Sequence, residues 1–216
     1  MLHSDFVLEF GSLLAYCPHV RGKNFDEATR LVYDIKNDKM IGSQLASEMV
    51  AEYIEKNLSA LFFKDFFQSG VSLVPVPRSS LLLPGALWPA ERLCKALAKR
   101  HLGVVYPCIS RITPIRKSSA SKASERPTAK EHYDTLRVSK LIPLPTRIIL
   151  VDDVVTKGAT LIACAARLTE AFPHTPVFAF AGVRTISKSE DFSNLFEPVK
   201  GEVKFFSGSG KTHREP

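Results

Sequence analysis

The residues best suited to chemistry lie together between Arg147 and Thr160. Asp152 and Asp153 are adjacent carboxylates, and Val154, Val155, Thr156, Lys157, Gly158, Ala159 and Thr160 follow them. A carboxylate accepts hydrogen bonds and binds hard cations. The pair therefore suits sugar hydroxyls or a hydrated Mg²⁺, not a phosphate. The hydroxyls of Thr156 and Thr160 can donate to phosphate oxygens, and Gly158 lets backbone approach such an anion closely. Acceptors for a diol and donors for a phosphate in one short stretch describe a ribose-phosphate site.

The flanking sequence says how these groups are held. Ile148 to Val151 is an unbroken apolar run rich in β-branched residues, the pattern of a strand buried on both faces of a parallel sheet. The acids are placed in a turn at its end. Beyond Gly158, Leu161, Ala165, Leu168 and Phe172 recur at helical spacing until Pro173 stops the helix. Ligands of such sheets sit at the carboxyl ends of the strands. A helix start there offers free N–H groups and a positive dipole end to a phosphate.

This order resembles the type I phosphoribosyltransferases. Their signature is an apolar strand, two acids, two apolar residues and a Thr/Gly phosphate loop. Val151 to Thr160 fits it almost throughout. Lys157 departs, because the family usually has a small hydroxyl residue or Ala there. A lysine at that point either adds charge to the phosphate site or faces solvent. The resemblance implies an α/β fold with a parallel sheet flanked by helices. It also implies transfer of the 5-phosphoribosyl group from phosphoribosyl diphosphate to a nucleobase or related nitrogen acceptor, with diphosphate leaving. Mg²⁺ is the implied cofactor, held by Asp152 and Asp153 directly or through water, while the same acids hold the ribose hydroxyls. Val155 to Thr160 would bind the 5-phosphate.

Val71 to Val76 reads as a second strand that breaks at Pro77-Arg78-Ser79-Ser80. Prolines stiffen the turn, and Arg78 with the two serines suits an anion such as diphosphate. In the ComF-like branch of the resembled family a Val-Pro-Val-Pro element opens the diphosphate loop. That branch usually continues into Gly-Phe-Asn-Gln, whereas Pro84 to Ala90 stands here. From Arg111 to His132 the chain turns basic and Ser-rich, either a solvated loop or a lid over a polyphosphate. The resemblance favours the lid, between about 111 and 133, with Lys117, Ser118, Arg126 and His132 as residues that reach the diphosphate. Asp152, Asp153, Arg78, Lys117 and Arg126 are thus the candidate catalytic residues.

The remaining sequence sets the frame. The 216 residues carry a net charge of +7 and a 45% apolar fraction, enough for a core and suited to an anionic partner. Weak nucleic-acid binding is compatible with that charge. No apolar run approaches membrane length, and Met1 to Phe10 lacks a basic n-region, so a cytoplasmic chain without a signal peptide is expected. Cys17, Cys94, Cys108 and Cys164 are scattered, which disfavours a zinc ribbon and fits buried thiols. Residues 1–70 are expected to be a mostly helical region packing on the core, with helices at Phe25 to Lys36 and Ser43 to Asn57. The Phe-rich Leu58 to Phe67 should pack the core or a dimer face, and a homodimer is the expected assembly. Residues 71–185 would form the catalytic core and 186–216 a C-terminal extension, in which Val203 to Phe206 is a possible edge strand. Gly208 to Thr212 imitates a Walker A end but has Phe205 where Gly belongs and no room for a helix. It reads as a polar tail able to reach a partner subunit. Two functions stay open: the transferase, and a non-catalytic sensor of phosphoribosyl diphosphate or a nucleotide that binds nucleic acid in DNA uptake or regulation.

Overall fold

The computed structural model describes residues 2, 4–18, 23–116, 126–187 and 194–216, without the side chains of 23–26. Its centre is a seven-stranded sheet. β1 is Phe6–Tyr16, and α1 (Lys23–Lys36) follows. A small ribbon pairs β2 (Met40–Ile41) with β3 (Gln44–Leu45), ahead of α2 (Ala46–Asn57). Then come β4 (Ser72–Pro75), α3 (Pro89–Lys99), β5 (Val104–Val105) and β6 (Ile109–Arg111). The second half holds α4 (Ala129–Asp134), β7 (Leu136–Val138), β8 (Ile148–Val155), α5 (Ala159–Ala171) and β9 (Val177–Thr185). β10 (Phe196–Phe206) and β11 (Lys211–Glu215) close the chain. The order across the sheet is β11-β10-β1-β9-β8-β4-β5. The five strands from β1 to β5 in that order are parallel, and β10 and β11 add antiparallel edges. The α/β architecture with a mostly parallel sheet between helices is the one expected.

Both faces of the sheet are covered, which is why its strands read as apolar runs and not as alternations. Ile148 and Leu150 of β8 pack with Leu161, Ala165 and Leu168 of α5. Ile149 and Val151 face the other way, against Leu93 and Leu97 of α3, Val50 and Ile54 of α2, and Ile35 of α1. The Phe-rich segment packs this second core: Phe63 lies 5.5 Å from Phe180, and Phe66 stacks at 4.7 Å on Phe178.

Two expectations are corrected. Residues 1–70 are not simply a helical region, because Phe6–Tyr16 is an interior strand between β9 and β10. Its side chains are buried on both sides, with Leu8 and Phe10 in one core and Leu13 and Leu14 in the other. Such a run lacks the period-2 signal of a half-exposed strand. Gly11 lets it pass under Phe63, where a Cβ would stand 2.5 Å from the ring. The run Gly208 to Thr212 is likewise no polar tail but the turn into and start of β11, and the strand expected at Val203 to Phe206 is the end of the longer β10, one place in from the edge. Interspersed polar residues hid β11 and the first part of β10, since one face of this edge meets water.

Among the described residues no helix is long and apolar enough to cross a membrane. The four cysteines are buried and unpaired, and burial pushes the Cys108 thiol up to about 12.

Candidate functional site

Strand order reverses between β4 and β8. The chain leaves β4 through α3 toward β5, and leaves β8 through α5 toward β9. Parallel sheets open a crevice at the carboxyl ends of such a pair. Here the opening is widened by unequal lengths. β4 ends with Pro75 opposite Val151, while β8 continues to Val155 along β9. Asp152 and Asp153 are therefore in the strand and not in a turn after it, and they lie past the end of β4, on the crevice. Asp152 Oδ1 accepts the Asp153 N–H at 3.0 Å. Burial, reinforced by the neighbouring Asp153 carboxylate, raises the Asp152 pKa well above the usual range.

The phosphate loop borders a cavity of about 400 Å³, lined by Val155, Thr156, Lys157, Gly158, Ala159 and Thr160 together with Arg126, Thr128, Asp152, Lys211 and Thr212. Gly158 sits just before α5 in the left-handed region, at φ 78°. No side chain caps this 13-residue helix, so its first N–H groups stay open to a ligand. Arg126, Lys157 and Lys211 line the same cavity and have no ion pair among the described residues. Arg126 Nε is buried without a hydrogen-bond partner there. Lys157 is exposed at the rim of the cavity, so both options left open by the sequence meet in one position.

A second cavity of about 460 Å³ adjoins the first across Arg126, Asp152, Val154, Thr156 and Thr160. Pro77, Arg78 and Ser79 from the end of β4, Lys36 and Asn37 from the end of α1, and Asp153 line it. Ser80 does not reach it. Trp88 Nε1 donates to Val76 O at 2.8 Å and shapes the loop between them. The Arg78 guanidinium donates to Leu87 O, so it is engaged inside its own loop while it borders the cavity.

The lid region is built partly of ordered elements. β6 and β7 pair as an antiparallel base for it, with Ser110 opposite Arg137. Thr128 and Glu131 form a capping box that starts α4 inside the expected loop. Lys117 and Ser118 lie outside the described residues. His132, expected to reach a diphosphate, is instead buried beneath the phosphate loop, with its ring between Arg111 and Thr160.

Sequence reasoning missed the C-terminal contribution. Lys211 and Thr212 of β11 line this chain's own cavity. Arg214 Nε donates to Thr156 O at 2.8 Å, and its Nη2 donates to Thr185 O. Burial, with Arg184 nearby, pulls its pKa down to about 10. The Gly208–Thr212 run was the available signal for Lys211. Arg214, Lys36 and Asn37 gave none.

Among the described residues no group of three or more His, Cys, Asp or Glu could enclose a metal ion. The donor set is instead two adjacent carboxylates beside cationic walls.

Two solved structures are loosely similar to the chain. A hypoxanthine phosphoribosyltransferase from Staphylococcus aureus aligns over 70% of this chain and 86% of its own, at 13% identity and a TM-score of 0.34. One from Trypanosoma cruzi aligns over 80% and 87%, at 12% identity and a TM-score of 0.33. No family model and no curated protein matches the sequence. Superpositions this loose decide nothing about chemistry, which rests on the site.

Proposed function

We propose that the chain is a phosphoribosyltransferase, a divergent relative of the ComF-like branch, that uses phosphoribosyl diphosphate and a nitrogenous acceptor. The observation that carries this reading is one crevice with two cationic lobes, with Asp152 where they join and Asp153 beside it in the second lobe. The substrate has the complementary form: a phosphate at one end, a diphosphate at the other, and a diol between. Thr156 to Thr160 and the start of α5 would take the 5-phosphate. Asp152 and Asp153 would accept from the ribose hydroxyls and orient C1. Arg78, Ser79 and Lys36 would face the diphosphate, with Arg126 between the lobes. The acceptor nitrogen forms a bond to C1 as the bond from C1 to the diphosphate oxygen breaks. Positive charge then grows on the ring and negative charge on the leaving group, where the cations stabilise it.

Two carboxylates without a full protein cage fit Mg²⁺, which commonly binds one or two carboxylates, water and substrate phosphates. Asp152 and Asp153 would hold it, and it would supply charge neutralisation for the diphosphate.

A second reading, a sensor of the same ligand without turnover, is favoured by the engagement of Arg78 with Leu87 O. Convergence on a cavity of Arg126, Lys157 and Lys211, which have no ion pair among the described residues, favours a small polyphosphate over an extended nucleic acid. Calorimetric titration with phosphoribosyl diphosphate, with and without Mg²⁺, tests both. Diphosphate release with a panel of nucleobases then separates them. Mg²⁺-dependent binding with release supports the transferase; binding without release for every base supports the sensor. Absence of binding under either condition refutes the ribose-phosphate site.

A further inference from the structure

Thr160 is the second residue of α5 and borders both lobes of the crevice. Its hydroxyl lies 3.3 Å from His132 Nε2. The other ring nitrogen, Nδ1, lies 3.3 Å from Arg111 Nη2. His132 is 3% exposed, so water does not complete these bonds in place of the protein. A guanidinium nitrogen has hydrogens and no lone pair to give, so Nδ1 must be the acceptor. Burial and the Arg111 charge hold the ring neutral, with its pKa lowered to about 4. A neutral ring whose Nδ1 accepts carries its hydrogen on Nε2. That N–H can only donate to Thr160 Oγ1.

The consequence falls on the threonine. A hydroxyl has one hydrogen and two lone pairs. With one lone pair filled by His132, the hydrogen of Thr160 stays available for another acceptor. The opposite tautomer would set two N–H groups against each other at Arg111 and would draw the Thr160 hydrogen back toward the ring. Arg111 thus selects the tautomer. It is itself fixed, with Nε donating to Arg78 O at 2.5 Å and Nη1 to Thr135 Oγ1. It has no carboxylate partner among the described residues.

We propose that Arg111 and His132 are positioning residues that fix the Thr160 hydroxyl as a hydrogen-bond donor to a phosphate of the ligand. The inference rests on the reading that Thr156 to Thr160 hold a phosphate. It adds a physical link between the diphosphate loop, which carries Arg78 O, and the phosphate loop, which carries Thr160.

The test has two arms. In the free protein, nitrogen NMR of the imidazole should show the Nε2–H tautomer. The Nδ1–H tautomer would overturn the proposal without reference to any ligand. In the second arm, calorimetry with ribose 5-phosphate compares wild type with Thr160→Val, His132→Leu, His132→Gln and the Leu/Val double variant. A hydrogen bond to a charged group supports a loss of about ten- to a hundredfold for Thr160→Val. His132→Leu should weaken binding by roughly three- to tenfold with Thr160 present, and by less than about twofold with valine there. His132→Gln, whose side-chain amide can supply an N–H where Nε2 stood, should recover most of the affinity. Equal losses for His132→Leu in both backgrounds would reduce His132 to a packing role and overturn the proposal. If wild type fails to bind ribose 5-phosphate, the phosphate reading falls and takes this inference with it. The NMR result still reports the tautomer, so the two failures are distinguishable. Should His132→Leu not fold, the glutamine variant and the spectrum decide.

Discussion

Gly158→Ala is the most demanding single test of how the C-terminal strands are joined to the phosphate loop. Gly158 has φ 78°, and a Cβ there would stand 2.4 Å from Val203 Cγ1 and 2.9 Å from its Cγ2. Val203 is fully buried on β10, opposite Leu8 of β1 on one side and Arg214 of β11 on the other. It cannot swing away as a surface side chain would. An L-residue in the left-handed region costs about 1–2 kcal/mol. Overpacking against a fixed valine adds about 1–3 kcal/mol, and the loss of glycine freedom in the unfolded chain returns about 0.4–1 kcal/mol. The net is a destabilisation of about 2–3 kcal/mol. For a chain of this size that lowers Tm by about 5–10 °C. Urea unfolding of Gly158→Ala, Val203→Ala and the double variant reads the two terms separately. With Val203 truncated, only the backbone part should remain, giving a coupling of about 1–3 kcal/mol. A cost below about 0.5 kcal/mol, or the same cost in both backgrounds, would refute the close approach of β10 to the loop.

Asp152→Asn should remove binding of phosphoribosyl diphosphate and yet raise Tm at pH 7. A carboxyl whose folded pKa is raised costs stability as pH rises from its unfolded value through its folded one. The stabilisation should vanish below about pH 4, and a Tm series against pH checks it. His132 acts with the opposite sign: its folded pKa of about 4 lies below the unfolded 6.5. Its stabilisation is complete above about pH 6.5 and is lost as pH falls toward 4, by about 2–4 kcal/mol. His132→Gln should flatten that part of the pH profile of urea unfolding. Arg214→Met should release Thr156 O and Thr185 O and remove the guanidinium from over the Phe10 ring. A loss of about 1.5–3 kcal/mol and faster amide exchange in the phosphate loop are expected; unchanged exchange would sever Arg214 from the loop.

What was legible in the sequence follows from how each signal arises. The motif from Val151 to Thr160 could be read because local residue types specify a strand end, a left-handed glycine and a helix start within a few positions. Helices α1, α2 and α5 could be read from one-sided apolar spacing. β1 could not, since a strand covered on both faces has no alternation, and Phe6–Tyr16 is as apolar as a buried helix. The acids were placed in a turn because residue types alone cannot show that β4 stops four residues before β8 does. The lid expectation for His132 comes from the resemblance, which puts a flexible basic loop over this stretch. The Thr128 and Glu131 capping box that starts α4 and turns His132 inward was present in the sequence as a spaced pair. The roles of Lys36, Lys211 and Arg214 depend on sheet order, which brings the two ends of the chain to one crevice.

Three departures from local rules meet in that crevice. Some local rules hold elsewhere: Glu52 pairs with Lys56 and Glu91 with Lys95 at helical spacing, and α4 has a full capping box, although α2 and α3 also begin without a side-chain cap. At the crevice, α5 begins without a side-chain cap, and Asp152 is held beside another carboxylate with a raised pKa. Arg126, Lys157 and Lys211 stand around one cavity without partners among the described residues. The raised Asp152 pKa and the buried Arg126 Nε, which has no hydrogen-bond partner among the described residues, mark groups whose burial costs stability, while Lys157 and Lys211 stand exposed at the rim. One ligand with phosphates at its ends and hydroxyls at its middle would answer all of them together. Local conflicts that share a single chemical remedy indicate a site and not a set of independent packing faults.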